Sequence, residues 1–342
     1  MNGAPDPTGS RLGGIGAALL FGLATIGAAQ FFKPDSGLTT APLSNLAAAI
    51  APASATGAPS AAPTADAFGL SGEVKVRLTL PGDRVEFPIA IAGTGDSLSY
   101  VWVSAVDSTS AEPPRVLSAA PVVAPQRPGF YHLAIIRGAA REVLPEPTLA
   151  VMVPFSQKLG GQVNGYRIGT YLAEQLGAGH DRPLGFVEVR PEMLELPVSR
   201  HLKLADFVTH DDQGDVWPKY VALNPKLLDK LELIFTDLGG RVRPDLTVDV
   251  HSGFRSPSHN ARVERAARDS RHQYGDAADL AIDADGDGRI TMTDELLVML
   301  AVERVEEAHP DLVGGLGMYT SSRYRTPYVH IDARGKRSRW QG

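Results

Sequence analysis

The sequence contains no cysteine in its 342 residues. Disulfides and thiolate metal sites are thereby excluded, so any zinc must be held by imidazole and carboxylate groups. The absence is compatible with an oxidising compartment but does not assign one. A basic excess is also missing. Lys and Arg number 33 against 39 Asp and Glu, a net charge of −6, so the chain has no overall electrostatic pull toward nucleic acid. Long hydrophobic runs are missing too, with one exception. Leu12 to Phe32 carry no charge over 21 residues, between Arg11 and Lys33, and match the ~20 apolar residues that cross a bilayer as a helix. Residues 1–33 therefore read as an N-terminal membrane anchor. A signal peptide cleaved near Gly27-Ala28-Ala29 is the rival reading. Both place the rest of the chain in the cell envelope, periplasmic or extracytoplasmic.

Residues 34–67, rich in Ala, Pro, Ser and Thr, cannot bury enough apolar area to offset their ordering entropy and read as a tether. Residues 68–155 change to period two. "VKVRLTL", "SYVWVSAV", "GFYHLAII" and "TLAVMVPF", separated by Pro, Gly and Asp clusters, predict a small β-sandwich of the immunoglobulin or fibronectin kind. It carries no cluster of catalytic residue types and reads as a spacer or binding module. Residues 156–198 form a Gly-rich connecting segment, whose "NGYRIG" lacks the spacing of a phosphate loop.

Residues 199–342 mix the two periodicities. "NPKLLDKLELIFTDLGG" and "DELLVMLAVERVEEAH" have apolar residues at helical spacing, and a further helix is expected over Ser258 to Arg268. "LTVDVHSGFRS", "GGLGMYTS" and "TPYVHID" read as strands. The expected class is α+β, with helices packed on one antiparallel sheet. The closing "RGKRSRW" reads as a solvated basic tail.

Two metal patterns lie back to back in this part. A zinc hydrolase presents three protein ligands and one open position, and His272 with Asp279 supplies a nitrogen and an oxygen. His330 in "YVHID" is the candidate third ligand. Taken in order, "SGFRSPSHN" (252–260), "SRHQYGDAAD" (270–279), "GGLGMY" (314–319) and "YVHID" (328–332) resemble the M15 zinc peptidases. These are D-alanyl-D-alanine carboxypeptidases and murein endopeptidases with a hedgehog-like fold. The resemblance spans about Ser199 to Trp340. It implies catalytic zinc on His272, Asp279 and His330, Arg255 as an anchor for a substrate carboxylate or carbonyl, and Gly275 as the turn between two ligands. It also implies peptidoglycan as partner, with stem-peptide or cross-link bonds hydrolysed by a zinc-activated water. Many relatives carry an acidic base three positions before the last ligand, and others a histidine two before it. Pro327 and Tyr328 stand there in this chain. The general base is therefore Asp332 as first candidate and His251 as second, with a role for Asp332 in orienting a histidine as the alternative for that residue.

The second pattern, "DADGDGRITMTD", fits a twelve-residue EF-hand-type calcium loop at 283–294. Asp283, Asp285 and Asp287 stand at ligand positions 1, 3 and 5, Gly288 at the turn, Arg289 at 7 through its carbonyl, Thr291 at 9 and Asp294 at 12. Calcium there would be structural, pinning the next helix and the strand that carries Asp279. The leading expectation is an exported zinc peptidase acting on peptidoglycan. A catalytically silent zinc- and calcium-binding wall protein and a calcium-dependent adhesion protein are the alternatives.

Overall fold

The computed structural model describes residues 50–52, 69–85, 89–91, 98–117, 122–177, 181–242, 246–320 and 326–342, all within one compact unit, Ser44–Gly342. The expected membrane segment, residues 12–32, lies outside the described residues, as does most of the expected tether. Among the described residues no helix is long and apolar enough to cross a membrane.

The period-two segment folds as a five-stranded sheet. Its strands are β1 (Val76–Thr79), β2 (Ser99–Ser104), β3 (Arg115–Val116), β4 (Gly129–Arg137) and β5 (Ala140–Val151), in the order β1-β5-β4-β2-β3. The edge strand β1 pairs with β5 in parallel. Alternation sorts the side chains, as period two requires. Tyr100, Trp102, Leu133, Ile135 and Leu149 bury one face against Val85 and Val122, which belong to a two-stranded ribbon of residues 84–85 and 122–123. Trp102 Nε1 donates to the Val123 carbonyl at 2.7 Å, so the buried indole is satisfied. Val76, Phe130 and Ala150 instead join the core of the C-terminal part, and the Asp229 carboxylate accepts from the Leu70 and Ser71 amides at 2.7 Å each.

The stretch 156–198, expected as a connection, is built into that core. Val163, Tyr166, Ile168 and Tyr171 are at most 1% exposed. Strand β7 (Gly185–Val189) lies between β6 (Val153–Pro154) and β8 (Lys219–Val221) in a three-stranded sheet. The glycines that suggest a linker punctuate tight turns between buried aromatics.

The C-terminal sheet has five strands: β9 (Thr247–Ser252), β10 (Ala277–Asp283), β11 (Gly315–Tyr319), β12 (Tyr328–Asp332) and β13 (Ser338–Gln341), in the order β9-β10-β12-β11-β13. All neighbours are antiparallel except β11 and β13. Helices α1 (Pro225–Val242) and α2 (Met292–Ala308) contribute to the core beneath one face. Asn224 Oδ1 accepts from the Lys226 amide and Pro225 occupies the first turn, a good helix start. Leu227, Leu228, Leu231, Ile234, Phe235 and Leu238 then form the buried stripe of α1. Leu280, Ile282, Leu316, Val329 and Ile331 belong to the same core, which leaves the alternate residues of these strands for the opposite face.

Two expectations are corrected here. The helix over Ser258–Arg268 shrinks to the single turn Pro257–Asn260. Residues 261–269 are exposed or half-exposed and have no apolar stripe to bury, and Asn260 Nδ2 instead ties the loop to the Ala267 carbonyl at 2.9 Å. The end of the basic tail, Ser338–Gln341, is an ordered strand, with Arg339 on Glu303 and Glu306 at 2.8 and 2.7 Å, while residues 334–337 are exposed as expected.

Candidate metal centre

Strand register brings the distant parts of the motif together. Asp279 on β10 and His330 on β12 are direct cross-strand partners, so their side chains rise side by side from the face away from the helices. His272 comes from the 3-10 turn Arg271–Tyr274 just before β10. Gly275 closes that turn at φ +69°. A Cβ there would stand 2.2 Å from the Ala222 carbonyl oxygen, so only glycine lets the chain turn sharply and pass so close.

The three ligand atoms converge. His272 Nε2 lies 3.1 Å from Asp279 Oδ1 and 3.1 Å from His330 Nδ1, and His330 Nδ1 lies 2.9 Å from Asp279 Oδ1. All three residues are buried. Nitrogen and oxygen ligands about 2.0–2.1 Å from a tetrahedral zinc stand about 3.3 Å apart, close to this triangle.

The outer hydrogen bonds decide which way the lone pairs face. His272 Nδ1 is 2.7 Å from the Gly253 carbonyl, which can only accept, so Nδ1 carries the proton and Nε2 is bare. His330 Nε2 is 3.1 Å from Asp332 Oδ2 and donates to it, which turns the Nδ1 lone pair inward. Arg255 Nη2 holds Asp279 Oδ2 at 2.6 Å, leaving Oδ1 for the centre. Three lone pairs facing one another at ~3 Å repel unless a cation stands among them. The donor set therefore fits a metal ion held by His272, Asp279 and His330.

Protons on the two rings can take the place of a cation between these groups, and the titration reflects that protonated arrangement. Burial pushes the Asp279 carboxyl up, yet the charges and hydrogen bonds of His272 and His330 win and hold it well below the usual carboxylate range. Burial lowers His272. Burial also acts to lower His330, but its hydrogen bonds to Asp279 and Asp332 prevail and raise it.

Asp332, the first candidate base, sits behind the His330 ring. It is fully buried and accepts from the Gly315 amide at 2.8 Å and from Arg334 Nε at 2.8 and 2.9 Å, with Arg334 Nη2 also in contact. Its main-chain carbonyl accepts from buried Lys230 at 2.7 Å, and Lys230 also pairs with Glu306 at 2.7 Å. Arg255 is likewise committed, with Nε on Ser252 Oγ at 3.0 Å as well as Nη2 on Asp279.

The second candidate base is placed otherwise. A register shift between Val250 and Ser252 marks a bulge at His251, and such bulges re-aim side chains. His251 is about one-third exposed and lies 3.3 Å from Asp249 through Nε2. Its ring stands 5.6 Å from that of Tyr328. Together with the three ligands, Arg255, His210, His259, Tyr319 and Trp340, it lines a cleft of about 930 Å³. Trp340 was missed in the sequence, yet its ring lies 5.1 Å from that of His330. The signal was Gly317 in "GGLGMY", where a Cβ would meet the indole at 2.4 Å.

In the second metal pattern, Asp283, Asp285 and Asp287 bring carboxylate oxygens within 4.8 Å of one another. Thr291 and Asp294 turn instead to the start of α2. Thr291 Oγ1 accepts from the Thr293 amide, and Asp294 accepts from the Thr291, Ala284 and Asp285 amides. Arg289 donates its amide to Asp287 Oδ1 at 2.7 Å.

Residues 201–296 match the family profile described as Peptidase M15. The match takes in Arg255, His272 and Asp279 and stops short of His330, which the register of β10 and β12 supplies. It supports a peptidase domain of the M15 metallopeptidase kind, a family generally zinc-dependent. No curated protein and no solved structure matches the chain significantly.

Proposed function

We propose that this protein is a zinc-dependent peptidase that hydrolyses stem-peptide or cross-link bonds of peptidoglycan from an exported, membrane-tethered position. The observation that carries the reading is the convergence of the His272, Asp279 and His330 lone pairs, at 2.9–3.1 Å, in the wall of an open cleft. Zinc bound by them would supply Lewis-acid polarisation of the scissile carbonyl and water activated at neutral pH.

The surrounding residues divide the remaining work. Gly253, Asp332 and Arg255 fix the tautomers and orientation of the ligands, the support on which metal affinity depends. Arg334 neutralises the buried Asp332 charge behind His330. Of the two candidate bases, Asp332 is occupied by its donors and faces away from the centre. His251 opens into the cleft with Asp249 beside it, and we assign the proton transfer to it. Arg255, half-turned to Asp279, lines the same cleft, where its guanidinium borders the site of a substrate carbonyl or carboxylate. A structural calcium ion at the Asp283, Asp285 and Asp287 cluster is part of the same reading, and the grouped carboxylates are its one support. Asp294 enters that role only as the cap that anchors α2.

Digestion of purified peptidoglycan by the protein, with product masses read with and without a zinc chelator, tests this function. Chelator-sensitive cleavage that His272→Ala abolishes is expected. A zinc-loaded sample that releases no products would leave a catalytically silent wall-binding protein as the reading.

A further inference from the structure

The two histidine ligands come from segments that no single element joins. His272 lies in the turn Arg271–Tyr274 and His330 on β12. Asp276 is tied to both. Its main-chain carbonyl accepts from the Ala333 amide at 3.0 Å, three residues beyond His330. Its carboxylate, 2% exposed, accepts from Arg271 Nε at 3.1 and 3.0 Å, with Arg271 Nη2 also in contact. Arg271 immediately precedes His272, so this fork spans the turn from its first residue to the residue after Gly275. The guanidinium carbon also stands 4.7 Å from the centre of the Tyr274 ring in the same turn. Nη1 reaches out to exposed Asp181 at 2.7 Å. Neither Arg271 nor Asp276 is among the three grouped ligands.

We propose that Arg271 and Asp276 are positioning residues: their ion pair is a brace that sets His272 against His330 and so tunes the affinity of the site for its metal. The proposal rests on the metal-binding part of the reading above and not on the reaction. The register of β10 and β12 already places Asp279 beside His330, whereas His272 precedes β10 and has no such register. The main-chain ties of its turn run to other segments, the Arg255 amide to the His272 carbonyl at 3.1 Å and the Asn224 amide to the Gly275 carbonyl at 3.0 Å. The Arg271 fork is the side-chain tie that returns the turn to the start of β10. A guanidinium that meets both carboxylate oxygens fixes direction as well as distance, and a tight metal site needs its ligands placed to within about 0.5 Å.

The experiment measures zinc dissociation constants by chelator competition on the full chain carrying R271K, D276N, both together, or D181N. R271K keeps the charge that buried Asp276 needs but loses the fork, and is expected to bind zinc about tenfold more weakly than wild type. D276N is expected to lose a similar factor. The double variant is expected to lose no more than either single one, because the same bond is broken in all three. D181N removes only the exposed outer arm and is expected to stay within about twofold. The visible absorption of the cobalt(II)-loaded protein, which reports ligand geometry, is expected to shift in R271K and D276N and not in D181N. Should R271K not fold, D276N, which leaves no buried carboxylate without its partner, carries the same expectation. A lower melting temperature of the chelator-treated variants with zinc affinity and cobalt spectrum unchanged would make the pair a general support and overturns the proposal. So do losses that add in the double variant, which would mean two separate contacts. A wild type that binds no zinc brings down the metal reading and the brace with it. A wild type that binds zinc but releases nothing from peptidoglycan brings down the peptidase reading alone, and the affinities still decide the brace.

Discussion

Replacing Asp332 with asparagine separates its two possible roles. The carboxylate is fully buried and accepts from His330, the Gly315 amide and Arg334. Burial works to raise its pKa, but the hydrogen bonds of His330 and Arg334 and the Gly315 amide win and hold it well below the usual range. The native charge is therefore stabilised by its donors. Asparagine keeps the shape but offers one acceptor oxygen where the native group offers two. The His330 Nε2–H then competes with Arg334 for it. Loss of such an outer partner typically weakens metal affinity 10–100-fold, which is about 1.4–2.7 kcal/mol. Leaving a buried charged partner partly unpaired costs about 1–3 kcal/mol of stability in addition. Zinc dissociation constants by competition with a chromogenic chelator, alongside kcat at saturating zinc, read both quantities. Weaker zinc with kcat largely recovered at high zinc is the expected pattern. A zinc affinity within about twofold of wild type with kcat abolished would refute the reasoning and return Asp332 to the role of base.

His251→Ala is expected to lower kcat by about 100-fold or more with zinc affinity unchanged; weakened zinc binding would instead mean that the ring props the site. Gly275→Ala forces a Cβ to within 2.2 Å of the Ala222 carbonyl in a left-handed turn. It is expected to cost about 3 kcal/mol or more of stability, and chemical denaturation with an unchanged midpoint would show that the turn relaxes. Glu295 is 2% exposed, and its carboxyl is pushed up to about 7, first by burial. A raised carboxyl pKa means stability is full below the unfolded value of about 4.3 and is lost as pH rises toward 7, by up to roughly 3 kcal/mol. Glu295→Gln should therefore raise the melting temperature at pH 8 much more than at pH 4.5, and an equal gain at both would place the effect in packing.

The parts of the site that lie on regular elements were legible in the sequence. His272 and Asp279 are seven positions apart because one sharp turn separates them, and the glycine that makes the turn stands between them. His330 is far away in sequence, yet "PYVHID" alternates in a way that fixes His330 on the face opposite Val329 and Ile331. The two long helices declared themselves through apolar stripes. What escaped the reading depends on register between segments. "RGKRSRW" has no period of its own. Its end, from Ser338, becomes a strand because β11 offers an open parallel edge and because Glu303 and Glu306 on α2 take up Arg339. The stretch 156–198 misled through its glycines, whose turns place Tyr166 and Tyr171 inward rather than letting the chain run free.

Residues 283–294 show why a full pattern match to a calcium loop is not yet a ligand set. Thr291 and Asp294 satisfy positions 9 and 12 of a cation loop, and the same two residues at the same spacing satisfy the first and fourth places of a helix capping box. One sequence serves both geometries. In the structure the carboxylate of Asp294 spends its oxygens on four donors, the Thr291 amide and hydroxyl and the Ala284 and Asp285 amides. Only Asp283, Asp285 and Asp287 remain grouped. An ion bound there would have to draw Asp294 away from α2 or accept three carboxylates with water and main-chain oxygens. The group of His272, Asp279 and His330 escapes this ambiguity. Its three side chains come from a turn and two strands and converge on one point, and none of them caps a helix.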